Sequence, residues 1–143
     1  MSSPTEKLNR VLKENRVEDF LSPLHRKLGM RPLRFAPGLS QWEWQADQEW
    51  MLNPFGWVSG GYLTLFADEL LGSAVGSALE KRETAATAEL KISFLKPAAR
   101  GLLRGEGRVL RKGSRVAFLE ATIKNAQEEL LAVVSSTWTV RRA

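Results

Sequence analysis

Two adjacent carboxylates, Asp68 and Glu69, sit inside the longest helical pattern of the chain, which runs roughly from Gly60 to Glu80. At 100° per residue their side chains diverge. Asp68 falls on the shoulder of the apolar face, beside Thr64, Leu71 and Val75, and Glu69 points a further 100° round. Asp68 is therefore the better placed of the two to be a partly desolvated acid, fit for general-base or nucleophilic work. Its plainer reading is a boundary aspartate paired with a sheet residue. Ser59 is a natural N-cap at the start of the same helix, and Gly60-Gly61 let a ligand approach the first-turn amides. Free amides at a helix N-terminus polarise a carbonyl or hold an anion, so the arrangement resembles an oxyanion hole about two turns from a carboxylate, although glycines at helix starts are commonplace.

Something must hold that helix. Leu63, Phe66, Ala67, Leu70, Leu71, Ala74 and Ala78 make one apolar face, and Leu65, Gly72 and Gly76 carry small or apolar character round most of the rest. Such a helix is wrapped on nearly all sides. Ser40, Trp42, Trp44 and Ala46 alternate with Leu39, Gln41, Glu43 and Gln45, which predicts a half-buried strand with both tryptophans facing the core. Strand-like runs follow the helix at 86–96, 102–111, 115–124 and 130–140, divided by turn signals at 97–101, 112–114 and 125–128. These four predict an antiparallel meander, and the sheet has at least five strands. The class is α+β, a long central helix packed on an antiparallel sheet. Upstream, Ser3-Pro4-Thr5-Glu6 reads as a helix start, and Leu8, Val11 and Leu12 form a short apolar stripe. Val17, Phe20, Leu21, Leu24 and Leu28 form a second, with Ser22-Pro23 as a restart and Gly29 as a stop.

Composition narrows the chemistry. The chain has 143 residues, enough for one domain, with no cysteine and a single histidine, His25. That excludes a disulfide scaffold, a thiolate zinc site, a cysteine nucleophile and any centre needing two histidines. No metal site is expected. His25, among Arg26 and Lys27, is predicted to be an exposed or half-buried surface residue. The net charge of +5 is unevenly spread: 8 basic and 7 acidic residues in 1–50, 5 and 5 in 51–100, 8 and 4 in 101–143. The excess suits a nucleic-acid backbone, an anionic membrane, a phosphorylated ligand or a solvated strand face. No run approaches the 18 apolar residues of a membrane span, and the first residues lack a signal peptide's apolar stretch. A cytoplasmic protein is expected.

Asn53-Pro-Phe-Gly-Trp-Val-Ser-Gly-Gly61, followed by Tyr-Leu-Thr-Leu-Phe-Ala-Asp68, resembles the N-x-x-G-x-x-H-G-G-(x)6-D/E signature of hotdog-fold acyl-CoA thioesterases of the PaaI-like kind. Glu89 to Pro97 is similar to the strand that follows in that family, and Val109 to Glu120 to its next hairpin. The likeness spans about 40–140 and implies a hotdog domain over 31–143 with a helical extension over 1–30. It also implies acyl-CoA hydrolysis without a cofactor. By the same resemblance Asp68 is the catalytic carboxylate and Gly60 the carbonyl-polarising amide, with Gly61 beside it. Asn53 positions the thioester or water, and Thr87 is a hydroxyl that orients water. Arg111, Lys112 and Arg115 sit where CoA phosphates bind. Trp57, within the motif, suits the lining of an acyl pocket and equally the core of a dimer interface. The family's site forms between subunits, so a homodimer is implied, or a homotetramer built as a dimer of dimers. CoA accounts for the C-terminal charge, so neither nucleic acid nor membrane is expected as a partner.

One position departs from the signature: the family's histidine is Ser59 here. A serine caps the helix but supplies no imidazole. Hydrolysis is the leading expectation, because the carboxylate, the glycine pair and the asparagine remain. The alternative is a non-catalytic acyl-CoA or lipid-binding hotdog protein. A hydratase, which pairs a histidine with an acid, ranks below both, since His25 belongs to a different pattern from Asp68.

Overall fold

The computed structural model describes residues 21–143 and, within the first twenty, Leu8, Arg10, Val11, Lys13, Glu14 and Arg16. The expected helix start at Ser3–Glu6, and the stripe residues Leu12, Val17 and Phe20, lie outside the described residues. Leu8 is helical and buried in the core.

Helix α1 (Pro23–Leu28) begins where Ser22-Pro23 predicts and closes at Gly29. Strands β1 (Met30–Ala36) and β2 (Leu39–Ala46) follow as an antiparallel pair. A 3-10 turn at Glu49–Met51 leads to the long helix α2 (Gly60–Ala78). Then come β3 (Glu83–Phe94), β4 (Gly101–Lys112), β5 (Val116–Asn125) and β6 (Leu130–Arg142). All neighbours in the six-stranded sheet are antiparallel, in the order β1-β2-β4-β5-β6-β3. A long helix across one face of such a sheet is the hotdog arrangement.

One expectation is corrected. The four strands after α2 are not one meander: β4, β5 and β6 are, but β3 pairs with β6 rather than β4. The chain leaves α2 at one edge of the sheet, runs along it as β3, and crosses through residues 95–100 to enter β4 beside β2. A strand's partner is a long-range choice, and turn signals do not encode it. The sheet also gains β1. Its alternation is broken by a register shift between Pro32 and Arg34, so a period-two pattern does not mark it.

The core sits between α2 and the sheet. Trp42 and Trp44 face inward as expected, at 1% and 0% exposure. Both indoles stay satisfied: Trp42 Nε1 donates to Ser73 Oγ at 2.9 Å and Trp44 Nε1 to the Leu28 carbonyl at 2.8 Å. No residue from Tyr62 to Leu79 is fully exposed, in keeping with a wrapped helix. Beneath its middle, β4 presents Gly105 and Gly107 instead of side chains. A Cβ at Gly107 would lie 2.2 Å from the Leu70 carbonyl oxygen, and one at Gly105 would lie 2.4 Å from Leu70 Cδ1. Helix and strand therefore touch backbone to backbone, and Ser40 Oγ seals the contact by donating to the same Leu70 carbonyl at 2.5 Å.

Candidate active site

The loop before α2 is organised by Asn53. Its Oδ1 accepts the Phe55 and Trp57 amides at 3.0 and 3.2 Å, and its own amide donates to the Trp57 carbonyl at 2.7 Å. Gly56 closes the turn by donating to the Asn53 carbonyl at 2.9 Å, in a left-handed conformation (φ +84°) that suits glycine. With the carboxamide oxygen spent on the loop, the Asn53 NH2 is the group left for a ligand.

Ser59 is the N-cap that its type predicts, with Oγ accepting the Gly61 amide at 3.3 Å. The glycine pair is thereby split in function. Gly61 spends its N–H on the cap, whereas the Gly60 N–H, at the first helical position, has no acceptor among the described residues. Gly60 and Asn53 line a cleft of about 330 Å³ with Trp57, Val58, Leu63, Phe94 and Leu95. Phe94, Leu95 and Leu63 escaped the sequence reading. The only signal available was that two consecutive apolar residues, Phe94 at the last position of β3 and Leu95 just beyond it, close the strand-like run; they prove to be 52% and 56% exposed.

Asp68 lies two turns along α2, half-buried, on the side that meets β3. Thr87 Oγ1 donates to Asp68 Oδ1 at 2.8 Å. Register sets this contact: Thr87 pairs with the core residue Trp138, and the irregularity between Thr87 and Glu89 follows at once. Oδ2 of Asp68 has no hydrogen-bond partner among the described residues. The structure thus joins Asp68 to Thr87, but it does not join either to Gly60. Eight residues of helix separate Gly60 from Asp68, roughly 12 Å along the axis. One chain cannot place both groups within about 3 Å of a single carbonyl carbon.

The histidine expectation is corrected. His25 is buried at 7% exposure, because it is the third residue of α1 and completes a capping box. The Ser22 amide donates to its Nδ1 at 3.1 Å, so the proton belongs on Nε2, which donates to Glu69 Oε2 at 2.7 Å. The ring also packs on Trp42, with centroids 4.9 Å apart. Glu69 therefore belongs to the α1 contact, and Asp68 to β3.

The basic hairpin divides similarly. Arg111 and Arg115 are exposed. Lys112 is half-buried and its ammonium holds Glu83 Oε1 at 2.7 Å, with the Glu83 side chain only 5% exposed. The Lys112 hydrogen bond, followed by the one from the Glu80 amide, holds the Glu83 carboxyl below its usual 4.5. A lowered folded-state value means the pair stabilises the protein above that pH, and the contribution is lost as pH falls through the lowered value. Lys112→Met should lower stability at pH 7 by about 1–3 kcal/mol. Denaturant titrations from pH 7 to 3 should show the gap to wild type closing below about pH 4.5; a gap independent of pH would refute the assignment.

Comparison with known proteins adds a family context. The sequence profile of the thioesterase superfamily matches residues 55–132. A relative from Saccharolobus solfataricus named as an esterase is 28% identical over 135 residues, covering 94% of this chain and 84% of its own. A solved structure from Ralstonia eutropha JMP134, described as a phenylacetic acid degradation-related thioesterase, superposes with a TM-score of 0.77. It is 28% identical, over 83% of this chain and 90% of that one. A protein of Streptococcus mutans UA159, solved bound to acetyl-CoA, shares the fold with a TM-score of 0.72 at 23% identity, over 78% and 87% of the two chains.

Proposed function

This chain belongs to the thioesterase superfamily, and on that footing we propose that it hydrolyses acyl-CoA thioesters to free CoA and a carboxylic acid. The observation that carries the reading is the Thr87–Asp68 hydrogen bond. It orients the carboxylate and leaves Oδ2 for the reaction. Oδ2 takes a proton from water, and the resulting hydroxide attacks the thioester carbonyl carbon. The Gly60 amide, helped by the Asn53 NH2, accepts the charge that develops on the carbonyl oxygen. The tetrahedral intermediate then collapses with cleavage of the C–S bond, and the thiolate recovers the proton from Asp68. If Asp68 instead attacks directly, the CoA thiolate leaves and an acyl anhydride forms on Asp68; water that opens it at Cγ leaves ¹⁸O in the Asp68 carboxylate after a single turnover in labelled water. Arg111 and Arg115 would meet the CoA phosphates, and Lys112 anchors their hairpin through Glu83. Binding of acetyl-CoA by the Streptococcus mutans protein supports a CoA thioester as the ligand class.

The separation of Gly60 from Asp68 supports a site shared between two chains. Among the described residues, strand β3 has a single neighbour, β6, and its other edge runs open along Glu83–Phe94. A second copy added along that edge would bring its own Gly60 cleft toward the first copy's Asp68. A free-thiol assay over a broad acyl-CoA panel tests the activity, and no turnover above background would end the proposal. Tight binding with the thioester intact would favour the non-catalytic alternative that Ser59 raises.

Mixed dimers test the shared site. Gly60→Pro deletes the N–H at the first helical position, behind Ser59 whose ψ of 137° suits a following proline; its Cβ would lie 3.0 Å from Phe94 Cζ, so the exposed Phe94 ring must turn aside to admit it. Gly60→Pro and Asp68→Asn homodimers should each be inactive. Co-refolded together, they should regain about a quarter of wild-type activity, because half the dimers carry one intact site. No recovery would place both groups in one chain's site.

A further inference from the structure

The cleft at the start of α2 has almost no polarity to offer a substrate beyond the carbonyl donors. Its walls are Trp57, Val58, Leu63, Phe94, Leu95 and Pro97. Its one cation among the described residues, Lys96, is engaged by Glu129, and that contact holds the Glu129 carboxyl below its ordinary range. A charged group at the far end of an acyl chain would find no partner here, and a buried unpaired charge is costly.

One side chain stands apart. The Phe94 ring rests directly on Gly60: a Cβ built there would lie 3.0 Å from Cζ and 3.4 and 3.5 Å from the two Cε atoms. The same ring is 52% exposed. It therefore covers the residue whose amide would receive the substrate carbonyl, and it does so from the last position of β3, at the open edge of the sheet.

We propose that Phe94 is a specificity-determining residue, whose ring over Gly60 selects neutral, apolar acyl groups and sets the longest that the cleft accepts. The inference rests on the reading of Gly60 as the carbonyl donor. A carbonyl oxygen that reaches the Gly60 N–H carries its acyl chain against the Phe94 ring. The exposed ring turns aside about its side-chain torsions and then lies along the chain as one wall of the cleft. An acetyl group is too short to use that wall. Each further methylene buried against it should raise kcat/KM roughly fourfold, until the ring and Leu63 stop the chain. An acyl group ending in a carboxylate gains nothing comparable, since Lys96 is already paired.

The test is a series of straight-chain acyl-CoAs and one ω-carboxyacyl-CoA, assayed for kcat/KM with wild type, Phe94→Leu and Phe94→Ala. Binding of matching non-hydrolysable S-alkyl-CoA thioethers is measured in parallel. The expected result is a shift of the optimum to longer chains, with the long-to-short ratio raised about tenfold in Phe94→Ala and partly in Phe94→Leu. An unchanged ratio, or an equal loss for every chain length, would overturn the proposal, because a merely structural role lowers all substrates alike. Preference for the ω-carboxyacyl group in wild type would overturn it as well. A chain that binds thioethers with this length dependence, shifted in Phe94→Ala, yet hydrolyses nothing would sink the hydrolase reading and leave the role of Phe94 standing. A chain that neither binds nor hydrolyses removes both.

Discussion

Asp68→Asn is expected to lower kcat by about 10²–10⁴ while leaving KM for acyl-CoA within a few-fold of wild type. The substitution keeps the shape of the side chain and the carbonyl oxygen that accepts the Thr87 hydroxyl at 2.8 Å. What it removes is the capacity of the second oxygen to take a proton. Loss in kcat with KM preserved is the signature of a group that acts in the chemical step. Thr87→Val provides the contrast. It leaves the base intact and removes only its orientation, so a fall of about tenfold is expected, in line with one hydrogen bond to a charged carboxylate of roughly 1.5 kcal/mol. Steady-state kinetics on the best acyl-CoA of the panel measures both. If Asp68→Asn retains more than a tenth of wild-type kcat, the carboxylate is not the base.

The second large effect is on folding. Gly107→Ala places a Cβ 2.2 Å from the Leu70 carbonyl oxygen, 2.7 Å from its carbon and 2.9 Å from Ser40 Oγ. Two of those three atoms are helix backbone, which has no rotamer to move into. Either α2 lifts from β4, leaving Trp44 and Phe66 under-packed, or the strand bends outward. Overpacking of this kind costs about 3 kcal/mol or more, a large share of the 5–15 kcal/mol that holds a typical domain folded. Thermal melts should show a fall of at least about 10 °C, or the variant should appear only in the insoluble fraction. Gly76→Ala, where no atom lies within 4 Å of the added carbon, is the control and should melt near wild type.

These contacts show where sequence is a sufficient guide. The alternation through Trp42 and Trp44, the all-round apolar surface of α2 and the hairpin β4–β5 are local patterns, and each was legible from its own residues. β1 was not, since Pro32 and the register shift beside it break the period that marks a strand. His25 looked like a surface residue because its neighbours Arg26 and Lys27 are charged. Its burial is decided by Glu69, 44 positions away, and by Trp42 beneath the ring. Asp68 stood out as a carboxylate at the edge of an apolar face, but its Thr87 partner came only through family likeness, because nothing local says which strand will lie beside that face. The Glu83–Lys112 pair left no mark either: a strand's first residue and another's last meet only once the sheet is assembled.

The position of β3 at the sheet edge orders events in time as well as in space. Thr87 aligns with Trp138, a separation of 51 residues, whereas β4, β5 and β6 join through short turns. Closing so long a loop carries an entropic penalty that the three-strand meander does not bear, so the meander is expected to form first, with β3 docking on β6 and the β1–β2 pair docking on β4 afterwards. On the ribosome, β3 emerges well before the strand it pairs with and must wait, at about 5–20 residues per second, for β6 to appear. Thr87 is therefore fixed beside Asp68 only after β6 has been made. The edge that carries the candidate site is thus assembled late, although α2 and β3 are themselves made early.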